Sequence, residues 1–337
     1  MKKHFTLSNF VIVLAVVSLM IALVLALFVI KAPQDENATD TIKRADDDSI
    51  INFLLLGKDD AAGLCDVVML GSVNTDNGNI NFMQIPRDTY FNCNDSSYKK
   101  INGAYNSLGS ASAVSDAVSS ALGIKIDYYL CLKLNTIEKM VDEVKGIEVD
   151  IPIDMNYDDP AQNLSIHLNA GKQMLNGNTA VQFLRYRSGY VTGDLGRIDA
   201  QKLFLNAFAK RISKTKNPFS LYNVFKLICD GSETNVKVND LISIALKCTN
   251  AKNGKVAYMT APGEAIQSEN SGAWYYIFSA SSMEKVLREY FGMNNGFDKA
   301  NKFVDKSVKS FYEIYNKSCE IRIYSADDIE NNKININ

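Results

Sequence analysis

The amino-acid sequence predicts an α/β domain with an antiparallel part, preceded by one N-terminal transmembrane helix. Two observations predict the domain. Short apolar runs alternate with helical patterns from residue 50 onward, and a turn signal from Asn74 to Gly78 joins two strand-like runs. A third observation, the uncharged apolar run from Phe10 to Ile30, predicts the helix. With 337 residues, 47% of them hydrophobic, the chain can bury a sizeable core.

The apolar run has the length of a membrane anchor. It contains 21 residues, whereas a bilayer core needs roughly 20 and the apolar part of a cleavable signal has only about 7 to 15. Lys2 and Lys3 precede it, and acids outnumber bases after it. By the positive-inside rule we expect a cytoplasmic tail (1–9), a membrane helix (10–30) and everything later outside the cell. A core helix of a soluble protein is the alternative.

Folding is expected to resume after an acidic, aperiodic tether at 31–49. The alternating and continuous apolar patterns then predict strands at 50–56, 67–73, 80–85, 128–134 and 147–151. Helical spacing predicts helices at 111–122 and 136–144. This order is typical of an α/β fold.

The second half continues the same pattern. A strand is expected at 184–187, a helix opening at Arg197, a helical stretch at 304–315 and a strand at 320–324. We divide the folded part into a main domain (50–292) and a C-terminal extension (293–337) that is rich in Asn and Lys.

Charge, histidine and cysteine content exclude several functions. The formal net charge of −2 provides no global basic field for nucleic acid. His167 alone is left for extracellular histidine chemistry and is expected to be a packed strand residue, so histidine-based hydrolysis is not expected. The six cysteines have irregular spacings and form no CxxC pair, which leaves their disulfide state open and disfavours a cysteine-ligated metal.

Arginine is used selectively in this chain. Only eight of the 36 basic residues are Arg, and four of those eight are Arg87 in IPRDTY and the three in RYRSGYVTGDLGR. The planar guanidinium grips phosphate or carboxylate with two parallel hydrogen bonds, which Lys cannot do. A surface salt bridge explains any one of them, but four that converge predict an anion site.

Local geometry supports that site. On a strand, Arg185 and Arg187 would share one face, roughly 6 to 7 Å apart. Arg197 and Gln201 are one helical turn apart at a helix start, where the helix dipole favours an anion. Asp194 is expected to cap that helix or to orient an arginine.

Acidic residues flank the same strands. Asp59 and Asp60 follow the first strand, and Asp66 precedes the second. Carboxylates beside a bound polyanion are typical of Mg²⁺, which combines one or two protein carboxylates with substrate phosphates. Alternatively, these acidic residues lie in solvated loops and bind no metal.

An ordered series of segments carries a family resemblance. INFLLLGKDD, GLCDVVMLGSVN, INFMQIPRDTYF, KKINGAYN, KGIEVDIP, AGKQMLNGNTAVQFLRYR and GDLGRIDAQ resemble, in order, the LytR-CpsA-Psr family of Gram-positive bacteria, over about residues 50 to 215. The resemblance implies a membrane-anchored extracellular phosphotransferase that moves a teichoic-acid-like or capsular glycopolymer from a polyprenyl diphosphate carrier to peptidoglycan, with Mg²⁺. With the element order it also implies a three-layer α/β/α sandwich with a mixed central sheet.

The resemblance assigns roles by position. It implies metal carboxylates at Asp59 and Asp66. It implies diphosphate contacts from Arg87, Arg185, Arg187, Arg197 and Gln201, joined by Lys100. Asp88 or Asp194 is the candidate base or orienter for an attacking peptidoglycan hydroxyl.

Two positions depart from the family pattern. Leu64 and Ala200 stand where members often carry arginine, which lowers the positive charge near the diphosphate unless Lys58 compensates. Two other functions stay open: a protein that binds polyprenyl phosphates without turnover, and a membrane-bound transcription attenuator. The attenuator fits badly because about nine residues lie inside the cell. The expected partners are the lipid-linked glycopolymer, peptidoglycan and the membrane, and not nucleic acid.

Overall fold

The computed structural model describes residues 49–58, 63–93, 99–160, 164–186, 189–190, 194–215, 217–249, 254–298 and 301–330. The predicted tail, membrane helix and nearly all of the tether lie outside these ranges. Within them, no helix combines the length and the apolar character that a membrane crossing requires.

A central sheet of seven strands organises the described residues. In chain order its strands are β1 (Ile50–Lys58), β2 (Cys65–Asn74), β3 (Ile80–Ile85), β4 (Tyr128–Leu132), β9 (Ser232–Thr234), β10 (Val256–Thr260) and β13 (Ile323–Ser325). Across the sheet the order is β13-β10-β3-β2-β1-β4-β9. The pairs β1–β4 and β3–β10 are parallel and the others antiparallel, which confirms the predicted mixed sheet.

Six further strands form three small antiparallel pairs. They are β5 (Ile147–Ile151) with β8 (Gly171–Leu175), β6 (Met155–Asp159) with β7 (Leu164–Leu168), and β11 (Gly263–Gln267) with β12 (Trp274–Phe278). His167 lies on β7 as expected, but its side chain is exposed and contacts Asn156 and Asp158. It is therefore not a packed core residue.

Ten α-helices connect and cover the strands. They are α1 (Ala104–Leu108), α2 (Ala111–Leu122), α3 (Leu134–Glu143), α4 (Gly177–Arg185), α5 (Asp194–Lys214), α6 (Pro218–Gly231), α7 (Val238–Thr249), α8 (Ala280–Tyr290), α9 (Lys309–Asn316) and α10 (Ala326–Glu330), as counted within the described ranges. The helix expected at 304–315 thus begins later, and the helix expected at Arg197 begins three residues earlier, at Asp194.

The sheet separates two hydrophobic cores, because alternate side chains of each strand point to opposite faces. Phe53 and Leu55 of β1 join the core that includes helices α3 to α7, whereas Leu54 and Leu56 join the core with α2 and α8. The side chains on both faces of β1 are therefore buried from solvent. This explains its continuous apolar sequence, which a strand covered on one side would not need.

One predicted strand is wrong. Residues 184–187 were expected to be extended, but α4 includes Leu184 and Arg185, and of the described residues in this range Tyr186 alone is extended. The apolar side chains of Ala180, Phe183 and Leu184 have helical spacing and are buried. The Asn176 side chain caps the helix start by accepting from the Thr179 N–H at 2.9 Å.

The topology gathers several strand ends at one edge of the sheet. Because β1, β3, β4 and β10 run in one direction and β2 runs against them, the carboxyl ends of those four strands lie beside the start of β2. Lys58 at the end of β1 pairs with Cys65 across a bulge. The predicted meeting of the first two strand ends is thus confirmed.

Candidate functional site

A network of alternating charges lies at this edge of the sheet. Arg87 Nη1 donates to Asp66 Oδ1 at 3.1 Å, and Arg87 Nε is 3.7 Å from Asp88 Oδ2. Lys100 Nζ donates to Asp88 Oδ1 at 2.6 Å. Four residues from three separate segments of the sequence prediction are therefore brought together.

Strand register explains the central pair. In the β2–β3 hairpin, Val68 lies opposite Ile85, so the same register continued by two residues sets Asp66 opposite Arg87. Pro86 ends the strand, and the Thr89 hydroxyl and N–H both donate to the Pro86 carbonyl in the turn that follows. The hairpin thereby fixes a cation beside a carboxylate that is almost fully buried.

Neighbouring backbone braces the loop after β3. The Ile101 N–H donates to the Thr89 carbonyl at 2.9 Å, and the Asn102 N–H donates to the Arg87 carbonyl at 3.3 Å. Tyr90 also forms a bridge with Lys100. Arg87, Asp88 and Lys100 are consequently held on connected backbone rather than on a free loop.

Helix α5 contributes two buried polar side chains. Arg197 is 3% exposed and Gln201 is 1% exposed, and they lie one turn apart on the same face, as predicted. Neither the Nε2 nor the Oε1 atom of Gln201 has a hydrogen-bond partner among the described residues. A buried amide without partners costs free energy, so this side chain is suited to a ligand that supplies the missing hydrogen bonds.

Tyr190 is a buried polar neighbour that sequence reasoning missed. Burial raises the pKa of its hydroxyl, and the nearby Arg197 charge opposes that shift only in part. The hydroxyl has no hydrogen-bond partner within the described ranges. Tyr190 therefore offers a neutral donor beside Arg197, which its aromatic character in the sequence did not reveal.

Of the four remaining predicted site residues, the structure describes two and leaves two outside its described ranges. Arg185 is half-buried at the end of α4, a helix that packs on α5. Asp194 is the first residue of α5. Asp59 and Arg187 lie outside the described residues.

A second buried ion pair, Asp199 with Lys202, was also missed. Lys202 Nζ donates to Asp199 Oδ1 at 2.8 Å, and both side chains are largely buried on α5. Burial raises the pKa of the Asp199 carboxyl, whereas Lys202 acts in the opposite direction. The i,i+3 spacing of these two residues in the sequence was an available signal.

The described residues contain one predicted metal ligand. Asp66 has the carboxylate oxygens that Mg²⁺ prefers, and its burial beside Arg87 matches a site where a polyanion and a cation meet. No group of three or more His, Cys, Asp or Glu side chains suited to a metal occurs within the ranges that the structure covers. Phosphate oxygens would have to complete the coordination.

Comparison with known proteins finds a relative that is named as a teichoic acid transferase. The chain is 27% identical to Bacillus subtilis TagV, named a polyisoprenyl-teichoic acid–peptidoglycan teichoic acid transferase, over 246 residues that cover 70% of this chain and 63% of TagV. This match thus spans less than two thirds of the relative's length.

Solved structures share the fold. The crystal structure of B. subtilis TagV aligns with a TM-score of 0.59 at 24% identity, over 73% of this chain and 97% of that one. The structure of TagT bound to LIIa-WTA aligns with a TM-score of 0.57 at 21% identity, over 78% of this chain and 98% of that one. The sequence profile of the LytR_cpsA_psr family matches residues 27–291. The chain therefore belongs to the LytR_cpsA_psr family.

Proposed function

We propose that this protein is a membrane-anchored extracellular phosphotransferase that moves a teichoic-acid-like or capsular glycopolymer from a polyprenyl diphosphate carrier to peptidoglycan. The single observation that carries the proposal is the polar lining at the sheet edge. Buried Arg197 lies on α5 with Gln201, whose amide has no hydrogen-bond partner among the described residues. The Arg87–Asp88–Lys100 network lies at the strand ends. The names of the TagV and TagT relatives support the glycopolymer as the cargo.

The reaction exchanges one phosphorus–oxygen bond for another. The acceptor hydroxyl oxygen bonds to the sugar-linked phosphorus, the bond from that phosphorus to the bridging oxygen breaks, and polyprenyl monophosphate leaves. The hydroxyl proton is released as the new bond forms. Such a transfer needs positioning and neutralisation of charge that shifts to the leaving oxygens. Guanidinium groups do both.

Individual residues take different parts in this scheme. Arg87 and Arg197 bind the diphosphate. Gln201 and Tyr190 supply hydrogen bonds to the diphosphate oxygens or to the sugar that is attached to the diphosphate. Asp88 contacts both Arg87 and Lys100. It therefore fits an orienting role better than that of a base, because two cations already compete for its carboxylate.

The proposal includes Mg²⁺ held by Asp66 and Asp59. When bound, the ion would neutralise phosphate charge beside the arginines. In the free protein, Arg87 already compensates the buried Asp66 carboxylate at 3.1 Å.

The proposal also includes anchoring by residues 10–30. An uncharged run of 21 residues behind two lysines supports a single-pass segment with its N-terminus inside. This placement would set the domain on the side of the membrane where peptidoglycan is found.

A reconstituted transfer reaction tests the proposal. The full-length chain in detergent, given a polyprenyl-diphosphate glycan, Mg²⁺ and peptidoglycan oligomers, should form a phosphodiester-linked product. Arg185→Ala should lower the rate at least about tenfold, the equivalent of about 1.4 kcal/mol of charge-assisted contact. Arg288→Ala is the matched control, because Arg288 pairs with Glu284 on the exposed surface of α8. Lipid binding without product would instead favour a sequestering protein.

A further inference from the structure

A cleft of about 440 Å³ adjoins the charged network. Its walls come from the end of β10, the β11–β12 hairpin, one face of α5 and the C-terminal residues Cys319–Tyr324. Pro86 and Asp88 from the loop after β3 also line it. The cleft therefore shares Asp88 with the charged network of the proposed phosphate site.

Backbone hydrogen bonds couple the cleft to that site. The Tyr276 N–H of β12 donates to the Asp88 carbonyl at 2.9 Å, and the Tyr90 N–H donates to the Tyr276 carbonyl at 2.9 Å. Lys100 Nζ, which binds the Asp88 carboxylate, is 5.4 Å from the centre of the Tyr275 ring. A molecule in the cleft would consequently lie next to any group transferred beside Asp88.

Aromatic residues form a large part of the apolar lining. Trp274 is 58% exposed, and Tyr275 and Tyr324 lie nearby in the same cleft. Phe311 of α9 packs edge-on against the Tyr275 ring at 5.3 Å between centroids, which limits the movement of that ring. Flat, fixed aromatic faces suit the apolar C–H faces of sugar rings.

Charged groups stand between these aromatic faces. Glu264 and Glu320 supply carboxylates, and Arg322 supplies a guanidinium that is near Asp199. The buried Lys202 has its Nζ 2.8 Å from Asp199, 3.5 Å from the Thr260 hydroxyl and 5.0 Å from the Tyr324 ring centre. Such groups can also hydrogen-bond the hydroxyls of a sugar, whereas a prenyl chain offers them no hydrogen-bonding partner.

The C-terminal wall lies outside the part of the chain that matches the family, residues 27–291. It is nevertheless fixed to the domain. β13 pairs with β10, the Ser282 hydroxyl exchanges hydrogen bonds with the Cys319 backbone at 3.0 Å, and Lys317 Nζ donates to Glu264 at 2.8 Å. This wall is a feature of the present chain that can distinguish one cleft occupant from another.

We propose that this cleft is a glycan subsite in which Trp274 stacks on a sugar ring and the Cys319–Tyr324 wall selects among glycans. The proposal rests on the proposed function, since it assigns the glycan a place beside the transferred phosphate. The donor polymer and the peptidoglycan acceptor share the required chemistry: sugar rings with apolar faces and hydroxyl rims.

Trp274 is the one tryptophan of the sequence, so the tryptophan fluorescence of the protein reports on this cleft alone. Tryptophan fluorescence of the full-length protein is titrated separately with a lipid-free peptidoglycan tetrasaccharide, a lipid-free oligosaccharide released from the wall polymer, farnesyl phosphate and inorganic diphosphate. We expect a saturable change with one of the two oligosaccharides, and the one that binds identifies the source. A response to farnesyl phosphate alone, or to neither oligosaccharide, would overturn the proposal.

Variants extend the test to affinity. By titration calorimetry, Trp274→Ala should weaken the binding oligosaccharide by about tenfold, as expected for loss of an aromatic contact, while Trp274→Tyr should retain most of the affinity. Phe219→Ala removes an aromatic side chain that is 76% exposed elsewhere, on α6, and should bind like the wild type. Equal affinity of Trp274→Ala and the wild type would refute the stacking role.

Binding and turnover separate the two proposals. An oligosaccharide that binds at Trp274 in a protein that forms no transfer product would support the subsite and refute the transferase. Transfer without any oligosaccharide response at Trp274 would support the transferase and refute the subsite.

Discussion

Replacing Gln201 with leucine should make the protein more stable and less active. Gln201 is 1% exposed on α5, and neither amide atom has a hydrogen-bond partner among the described residues. Leucine has a similar volume and no polar atoms. The substitution therefore removes the cost of desolvating the amide in the free protein and, with it, the hydrogen bonds that the amide would give to a ligand.

The expected gain follows from the cost of a buried, unsatisfied polar group, about 1–3 kcal/mol. For a domain of this size, each kcal/mol corresponds to about 2–4 °C in Tm. We therefore expect Tm to rise by about 2–12 °C, with transfer lowered at least about tenfold because charge-assisted contacts to the diphosphate are lost.

Urea unfolding, thermal melts and the transfer reaction measure the two effects on the same preparations. Gln182→Leu is the matched control, because Gln182 on α4 donates to Asn178 at 2.7 Å at the surface. It should change stability by less than about 0.5 kcal/mol. Lower stability of Gln201→Leu would show that the amide is satisfied in the free protein, and unchanged transfer would show that it does not contact substrate.

Three further predictions follow from other groups. Arg87→Ala removes the guanidinium that donates to the buried Asp66 carboxylate, so the free energy of unfolding in urea should fall by about 3 kcal/mol, and adding Asp66→Asn should recover part of that loss without restoring transfer. Equal instability of the single and double variants would rule out the electrostatic cause.

Burial raises the pKa of the Asp298 carboxyl above 3.8, so its contribution to stability is present below that pH and is lost as the pH rises through the folded-state pKa. The free energy of unfolding of the wild type minus that of Asp298→Asn should therefore decrease between pH 4 and pH 7, and a flat difference would contradict the shift. Cys65 is buried and contacts Cys131, which raises its thiol pKa well above the usual value, so mass spectrometry after iodoacetamide treatment at pH 8 should find Cys65 unmodified in the folded protein and modified in urea.

Elements whose pattern is purely local were predicted well. The strands 80–85 and 147–151 and the helix 111–122 match β3, β5 and α2 residue by residue. In β5 alternate residues are buried, and in β3 every residue is. A strand buried on one face needs apolar residues at alternate positions, and a strand buried on both faces needs them throughout, so both patterns can be recognised in the sequence.

Elements whose conformation depends on a neighbour were not predicted. The two arginines of RYR suggested a strand because their spacing of two fits a pleat, but the buried residues upstream have helical spacing and carry α4 through Arg185. The three residues Arg-Tyr-Arg are too few to distinguish the two-residue period of a strand from the 3.6-residue period of a helix. A longer window that began at the Asn176 cap would have favoured the helix.

The candidate site was predicted in part. The Asp66–Arg87 pair follows from hairpin register, which the turn signal at Asn74 to Gly78 made calculable. The Asp199–Lys202 pair had a local signal in its i,i+3 spacing on one helix, whereas the aromatic cleft depends on β13 pairing with β10, a contact across more than 60 residues. Composition and spacing carry no signal for such a long-range pairing.

The seven-stranded sheet ends on both sides in strands of only three residues, β9 and β13. Short outer strands offer few unpaired backbone groups to a second chain, and so they discourage strand addition and aggregation. Loss of the C-terminal residues would uncover β10, a five-residue strand with Val256 and Met259. Besides forming a wall of the cleft, β13 therefore covers a strand edge that could otherwise pair with a second chain.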